Sequence, residues 1–148
     1  MSENVKPIPE GYSSITPYYV SNDTEGLLNF LEKAFDAKTI AKMPMPDGKR
    51  IAHAVSRIGN SSLMLADASE QASITRSNTY VYVDDPDTVV ENAAAAGATV
   101  VKPVSDMFWG DRWGLIEDPF GNRWQIAAHQ KDVNREDLPD LMAASMSA

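Results

Sequence analysis

Apolar and polar positions along the chain follow one order of periods, and that order occurs twice. Residues 14–21 are apolar and aromatic, with Ile15, Tyr18, Tyr19 and Val20 suited to a pleated surface, and predict a strand. Asn22 and Asp23 offer a helix cap, and Leu27, Leu28, Phe30, Leu31 and Phe35 recur at helical spacing, predicting an amphipathic helix over residues 24–35. Strands are predicted over 38–44, 50–58 and 62–66, separated by the turn signals Pro46-Asp47-Gly48 and Gly59-Asn60. The order then returns. Residues 79–83 alternate as a strand, and Asp85 caps a helix whose first position suits Pro86, because proline lacks an N–H that would have no partner there. Alanine-rich residues 89–96 continue that helix to Gly97, and strands follow at 99–103, 111–117 and 123–128. Strand–helix–strand–strand–strand therefore spans about 12–66 and again about 78–129, a repeat of element order more than of letters. A polar, serine-rich stretch at 67–77 joins the two modules, and 130–148 is a charged tail, read as a short surface helix or a frayed end.

Alternation along each strand assigns the side chains to faces. Thr16, Tyr18 and Val20 share one face, as do Asn78, Tyr80 and Tyr82, while Trp124 and Ile126 face away from Arg123, Gln125 and Ala127. Ala52, Ala54 and Ile58 form a core set, which turns His53 to the other side, where it serves as a hydrogen-bonded structural residue, a polar pocket group or a general base. His129, at the end of the last strand, is read as a packing or tail contact. Tyr18, Tyr80 and Tyr82, with Trp109 and Trp113 flanking Gly110-Asp111-Arg112, offer flat apolar surfaces with polar tips, suited to a planar, partly apolar ligand. The alternative for Trp109-Gly110-Asp111-Arg112 is a structural corner tied by Asp111 or Arg112.

Composition narrows the chemistry. The chain has 148 residues, no cysteine and a net charge of −8. Thiolate metal sites, disulfides and cysteine nucleophiles are excluded, in keeping with a cytoplasmic location. The negative charge argues against nucleic acid, which is bound largely through Lys and Arg contacts to phosphate, and favours solubility or a cationic ligand. No apolar run approaches the roughly 20 residues of a membrane span. Phosphate-binding and dinucleotide-binding glycine loops are absent, and Asp84-Asp85-Pro86-Asp87 lacks the ligand spacing of a calcium loop.

The motifs Thr16-Pro17-Tyr18-Tyr19, Asp47-Gly48-Lys49 with His53-Ala54, Met64-Leu65-Ala66-Asp67 and Tyr82-Val83-Asp84-Asp85 stand in this order. They continue with Ala96-Gly97-Ala98-Thr99-Val100, Trp109-Gly110-Asp111-Arg112, Asp118-Pro119-Phe120-Gly121-Asn122-Arg123-Trp124 and Asp132-Val133. The set resembles the vicinal oxygen chelate superfamily, which includes glyoxalase I, the bleomycin resistance proteins and extradiol dioxygenases, and within it the PhnB-like branch. The resemblance implies an α+β fold: two βαβββ modules forming one glyoxalase/bleomycin resistance-like domain over 1–148, with a cleft between curved mixed sheets and a homodimeric assembly. It also implies where metal-dependent members hold their ion, and the matching positions here are Thr16, Met64, Asn78 and Gln125. Only Gln125 is a competent ligand for a hard divalent ion, so neither a metal nor another cofactor is expected. The expected ligand contacts are Tyr18, His53, Met64, Tyr80, Trp109, Arg112 and Gln125, with a small molecule as partner and no catalytic residue assigned. The leading expectation is sequestration of a planar or cationic antibiotic-like molecule. The alternative is a lyase, isomerase or dioxygenase of the same superfamily, metal-dependent or using His53 as base with Arg112 as anion clamp.

Overall fold

The computed structural model describes residues 4–147. They fall into two compact units divided between Arg76 and Ser77, each a four-stranded mixed sheet carrying one long helix. The α+β class and the doubled βαβββ order are as the sequence predicts.

In the first unit the elements run β1 (Tyr18–Ser21), α1 (Thr24–Phe35), β2 (Lys38–Pro44), β3 (Ile51–Ile58) and β4 (Ser61–Asp67). The sheet order is β1-β4-β3-β2, with β1 parallel to β4 and the other pairs antiparallel. Helix α1 has the predicted bounds because both ends are written locally. The Asp23 carboxylate accepts the Gly26 N–H at its start, and Asp36 adopts a left-handed conformation (φ 55°) at its end. Leu27, Leu28, Phe30, Leu31, Ala34 and Phe35 form the buried stripe. They pack on the sheet face that carries Tyr19, Leu63, Leu65, Ala54 and Ile58, all buried. A fully buried leucine contributes about 1.5–3 kcal/mol through removal of apolar surface from water, so Leu27 and Leu31, both 0% exposed, anchor the unit. Asp67, also buried, accepts the Thr24 N–H at 2.8 Å and the Ile51 N–H at 2.7 Å, tying the helix start to the start of β3.

Strand β1 starts at Tyr18, four residues later than predicted. Pro17 has no N–H for a ladder, and Ile15 is 83% exposed, so residues 14–16 belong to the arm that precedes the sheet. The arm is pinned by Arg57 Nη1 and Ser62 Oγ, which both donate to the Gly11 carbonyl, at 3.0 and 2.9 Å.

The second unit repeats the plan with β5 (Asn78–Tyr82), α2 (Pro86–Ala95), β6 (Thr99–Asp106), β7 (Asp111–Glu117) and β8 (Arg123–His129), in sheet order β5-β8-β7-β6. Asp85 caps α2 through the Thr88 N–H, with Pro86 in the first turn. Helix α2 buries only Pro86, Val90 and Ala93, and the bulk beneath it comes from the sheet: Ile116, Trp124 and Ile126 are each 0% exposed. Buried Asp118 plays the part Asp67 plays in the first unit. Its Oδ1 accepts the N–H groups of Phe120 and Asn122, and its Oδ2 accepts Trp124 Nε1–H at 2.9 Å.

Strand β6 runs to Asp106, past the predicted end at Pro103. It is an edge strand whose register against β7 shifts between Lys102 and Ser105, and proline is tolerated at such an irregular edge. Of the tail, Arg135–Asp137 forms a 3-10 turn and Leu138–Met146 a helix, α3. Residue 148 lies outside the described residues.

Candidate functional site: the aromatic face of the second unit

Register fixes the faces of the second sheet. Tyr80 pairs with Gln125 and Tyr82 with Ala127 across β5–β8, while Leu115 pairs with Gln125, Trp113 with Ala127 and Asp111 with His129 across β7–β8. Directly paired residues share a face. The side away from α2 therefore carries Tyr80, Tyr82, Asp111, Trp113, Gln125 and His129.

The turn between β6 and β7 adds Trp109 to this face. Met107 N–H donates to the Asp111 carbonyl at 2.8 Å and Gly110 N–H to the Met107 carbonyl at 3.1 Å. Gly110 sits at φ 102°, and its own carbonyl receives the N–H groups of Gln130 and Lys131 at 2.9 and 3.1 Å. A β-carbon there would run into the Lys131 carbonyl, so glycine is required for the turn to close. Trp109 then meets Trp113 edge-on with ring centroids 5.8 Å apart, and Tyr80 lies 5.3 Å from Tyr82.

Asp111 is the hub. Its carboxylate, only 3% exposed, accepts Tyr80 Oη–H at 2.6 Å and Tyr82 Oη–H at 3.1 Å on Oδ2, and His129 Nδ1–H at 2.8 Å on Oδ1. Tyr80 Oη in turn accepts Trp109 Nε1–H at 3.1 Å. Burial disfavours the charged carboxylate, but the bonds from Tyr80, His129 and Tyr82 together outweigh it and hold the Asp111 pKa below the ordinary value. Desolvation, and then the bond to Asp111, raises the pKa of both tyrosines, so their hydroxyls stay protonated donors. A second chain of bonds runs from Trp113 Nε1 to Gln125 Oε1 (3.1 Å) and from Gln125 Nε2 to Asn78 Oδ1 (3.0 Å). The result is a set of aromatic rings held at fixed angles with faces still accessible. Tyr82 is 63% and Tyr80 37% exposed.

Of the predicted contacts, the structure brings Tyr80, Trp109 and Gln125 together on this face. Tyr18, His53 and Met64 lie on the helix-free face of the first unit: Tyr18 pairs with Met64, and Tyr18 Oη stands 3.4 Å from His53 Nδ1. A depression of about 380 Å³ beside them is lined by Met64, Thr16, Tyr12 and the arm residues Pro7, Ile8 and Pro9.

Arg112 is placed apart from all of these. As the neighbour of Asp111 in β7 it alternates to the helix-covered side, opposite Ala128. There its Nε and Nη2 donate to the two oxygens of Asp87 at 2.7 and 2.9 Å, and Nη1 donates to Asp106 at 3.0 Å. The guanidinium ties α2 and the end of β6 to the sheet. With all three nitrogens engaged it has no geometry for an anion clamp, and Asp87, from the acidic cluster at the start of α2, is its main partner.

The positions matching a family metal site do not suit an ion. Thr16 precedes the sheet and offers a hydroxyl, and Met64 offers a thioether. The carboxamide oxygens of Gln125 and Asn78 both already accept hydrogen bonds. Neither unit's pair includes an imidazole or carboxylate, the donors on which hard divalent-ion sites rest, so neither pair suits an ion.

Sequence reasoning counted Trp113 among the aromatic surfaces and Asp111 as a tie of the corner, but passed over Asp111 as the hub of the face and His129 as a member of it. The signal was present: alternation over the predicted strand 111–117 puts Asp111 and Trp113 on one side and Arg112 on the other.

Comparison with known proteins matches this geometry to a fold. The sequence profile of the glyoxalase/bleomycin resistance protein/dioxygenase superfamily matches residues 14–126. The chain belongs to this superfamily. The uncharacterized protein Mb0911c of Mycobacterium bovis is 34% identical, covering 97% of both chains. Among solved structures, TioX from Micromonospora sp. ML1 has a TM-score of 0.66 at 23% identity, over 79% of this chain and 98% of that one. A glyoxalase I mutant from Zea mays has a TM-score of 0.61 at 16% identity, over 77% of this chain and 43% of that one. At these identities the two structures show the fold alone.

Proposed function

We propose that this superfamily member is a metal-free binding protein that sequesters a planar, partly aromatic and cationic small molecule on the aromatic face of its second unit. The observation that supports the reading most is the Tyr80–Tyr82–Trp109–Trp113 cluster, oriented by hydrogen bonds to Asp111 and Gln125 and left accessible. Orientation ahead of binding removes the entropic cost of ordering the rings, and a planar ligand gains stacking of about 0.5–1.5 kcal/mol per aromatic pair. A cation over these rings gains a further ~0.5–2 kcal/mol, and the net charge of −8 assists its approach. Binding alone accounts for such a face, because Asp111 is held as an ionised acceptor and the tyrosines as protonated donors, an arrangement that opposes proton exchange.

The reading includes a PhnB-like affiliation, from the motif order, and a homodimer in the cytoplasm, with resistance to an antibiotic-like compound as the cellular outcome. The test is a thermal-shift series with bleomycin, ethidium and other planar or cationic compounds. A concentration-dependent rise in melting temperature is expected with at least one of them, and its absence from all of them in a well-folded sample would sink the proposal.

One observation favours a second reading. The Tyr18–His53 pair on the first unit's face is the arrangement a general base would need, since a hydroxyl beside Nδ1 orients the ring. Turnover of a hemithioacetal that disappears in His53→Gln would establish that reading in place of sequestration.

A further inference from the structure

His129 closes β8 with each ring nitrogen on a carboxylate: Nδ1 lies 2.8 Å from Asp111 Oδ1 and Nε2 lies 2.8 Å from Asp132 Oδ1. An ionised carboxylate only accepts, so both contacts require an N–H, and only the imidazolium carries two. A neutral ring has one N–H and must surrender one contact.

The two carboxylates are not equal. Asp111 is buried beneath two tyrosines, and a buried acceptor that loses its donor has no water to replace it. The side chain of Asp132 is fully exposed, at 101%, and is hydrated at once on release. A neutral imidazole therefore keeps its proton on Nδ1, toward Asp111, and lets go of Asp132.

What Asp132 holds is the start of the C-terminal segment, where the Val133 side chain also stands beside Gly110. Upstream, Gln130 and Lys131 stay tied to the Gly110 carbonyl whatever the ring's charge. Downstream, the hydrogen bonds among the described residues are local to the segment, such as Asp137 N–H to Asn134 and Ser147 N–H to Ala143. Helix α3 packs on the preceding 3-10 turn and on no other described element. It carries Leu141, Met142 and Met146 to the surface, at 38%, 49% and 74% exposure.

We infer that His129 is a proton-controlled latch, which holds the segment beginning at Asp132 against the β7–β8 end of the sheet when charged and frees it when neutral. The titratable and charged groups around the ring are Asp111 on β7, Tyr80 and Tyr82 on β5 through Asp111, Asp84 after β5, and Asp132 itself. Every carboxylate among them favours the charged ring. The hydrogen bonds to Asp132 and then to Asp111 raise the pKa above its ordinary value, against a smaller effect of desolvation. The sign follows. The latch is closed below the raised pKa and opens as pH climbs through it.

The experiment uses the 15N-labelled full chain, with no ligand added, and so reads the latch separately from the proposed binding function. Imidazole 15N shifts and backbone order parameters are followed from about pH 6 to about pH 9. Order parameters at residues 132–134 are expected to fall from about 0.85 toward 0.6 or below, in step with His129 titration, while the neutral ring retains Nδ1–H. In Asp132→Asn the step should vanish while the Asp111–His129 bond persists. This variant changes only a fully exposed side chain, so folding is not at issue. Three results would each overturn the inference: a segment that keeps its order while His129 titrates, a neutral ring protonated on Nε2, or an undiminished step in Asp132→Asn.

Discussion

Replacing Asp111 by alanine tests how the aromatic face is held. Three side chains donate to this buried carboxylate, from Tyr80 at 2.6 Å, His129 at 2.8 Å and Tyr82 at 3.1 Å. A hydrogen bond to a charged group contributes about 1.5–3 kcal/mol, but the three do not add. The donors are 37% (Tyr80) and 63% (Tyr82) exposed, and the His129 side chain 48%, so each turns to water when the carboxylate goes. Removing the carboxylate also relieves the cost of keeping a charge out of water. The expected loss is thus near that of one such bond, about 2 kcal/mol, which lowers the melting temperature by roughly 4–8 °C in a chain of this size. Urea unfolding followed by tryptophan emission reads the relevant unit, because Trp109, Trp113 and Trp124 all lie in the second one. The pH dependence has a definite sign. The folded carboxylate titrates below the unfolded one, so its contribution is complete above about pH 4 and fades as pH falls through the folded value. A loss under about 0.5 kcal/mol, or one that persists unchanged in acid, would refute the hub assignment.

Gly110→Ala forces a β-carbon onto the Lys131 carbonyl at a positive φ and should cost at least about 2 kcal/mol, with Trp109 emission shifted to the red, by denaturation and fluorescence. Leu31→Ala empties a fully buried site under α1 and should cost about 2–5 kcal/mol, read by circular dichroism. Arg112→Gln releases α2 and the end of β6 and should lower stability while leaving small-molecule affinity within about two-fold, by calorimetry, since its side chain points away from the aromatic face. Elemental analysis of purified protein should find no stoichiometric zinc, nickel, iron or manganese, and a chelator-removable ion at one per chain would reverse the reading of Thr16, Met64, Asn78 and Gln125.

The fold was legible because its signals are local. Asp23 and Asp85 write the helix starts, apolar spacing writes α1, and turn residues separate the strands. Several motifs that carry the family resemblance prove to be hydrogen-bonded fasteners: Asp67 joins α1 to β3, and Asp118 gathers the turn that leads to Trp124. Such motifs report the scaffold and say little about chemistry. The site was harder to read. Its hub joins residues 80, 82, 111 and 129 through strand pairings that no local window contains. Arg112 looked like a partner of Trp109 because they are close in sequence, yet β7 begins at Asp111 and alternation sends the two apart. Strand β6 ran past Pro103 because an edge strand with a register shift accommodates a residue that a central strand would not.

Binding of a planar cationic molecule by the rings of the second unit underlies the proposed function. It is tested most directly by titrating ethidium and bleomycin into the protein and into Trp109→Ala while following tryptophan emission. Saturable quenching is expected with at least one of the two probes. Trp109→Ala should weaken that binding about ten-fold, the equivalent of a single stacked ring at ~1.4 kcal/mol. Quenching that never saturates, or an affinity identical in wild type and Trp109→Ala, would contradict it.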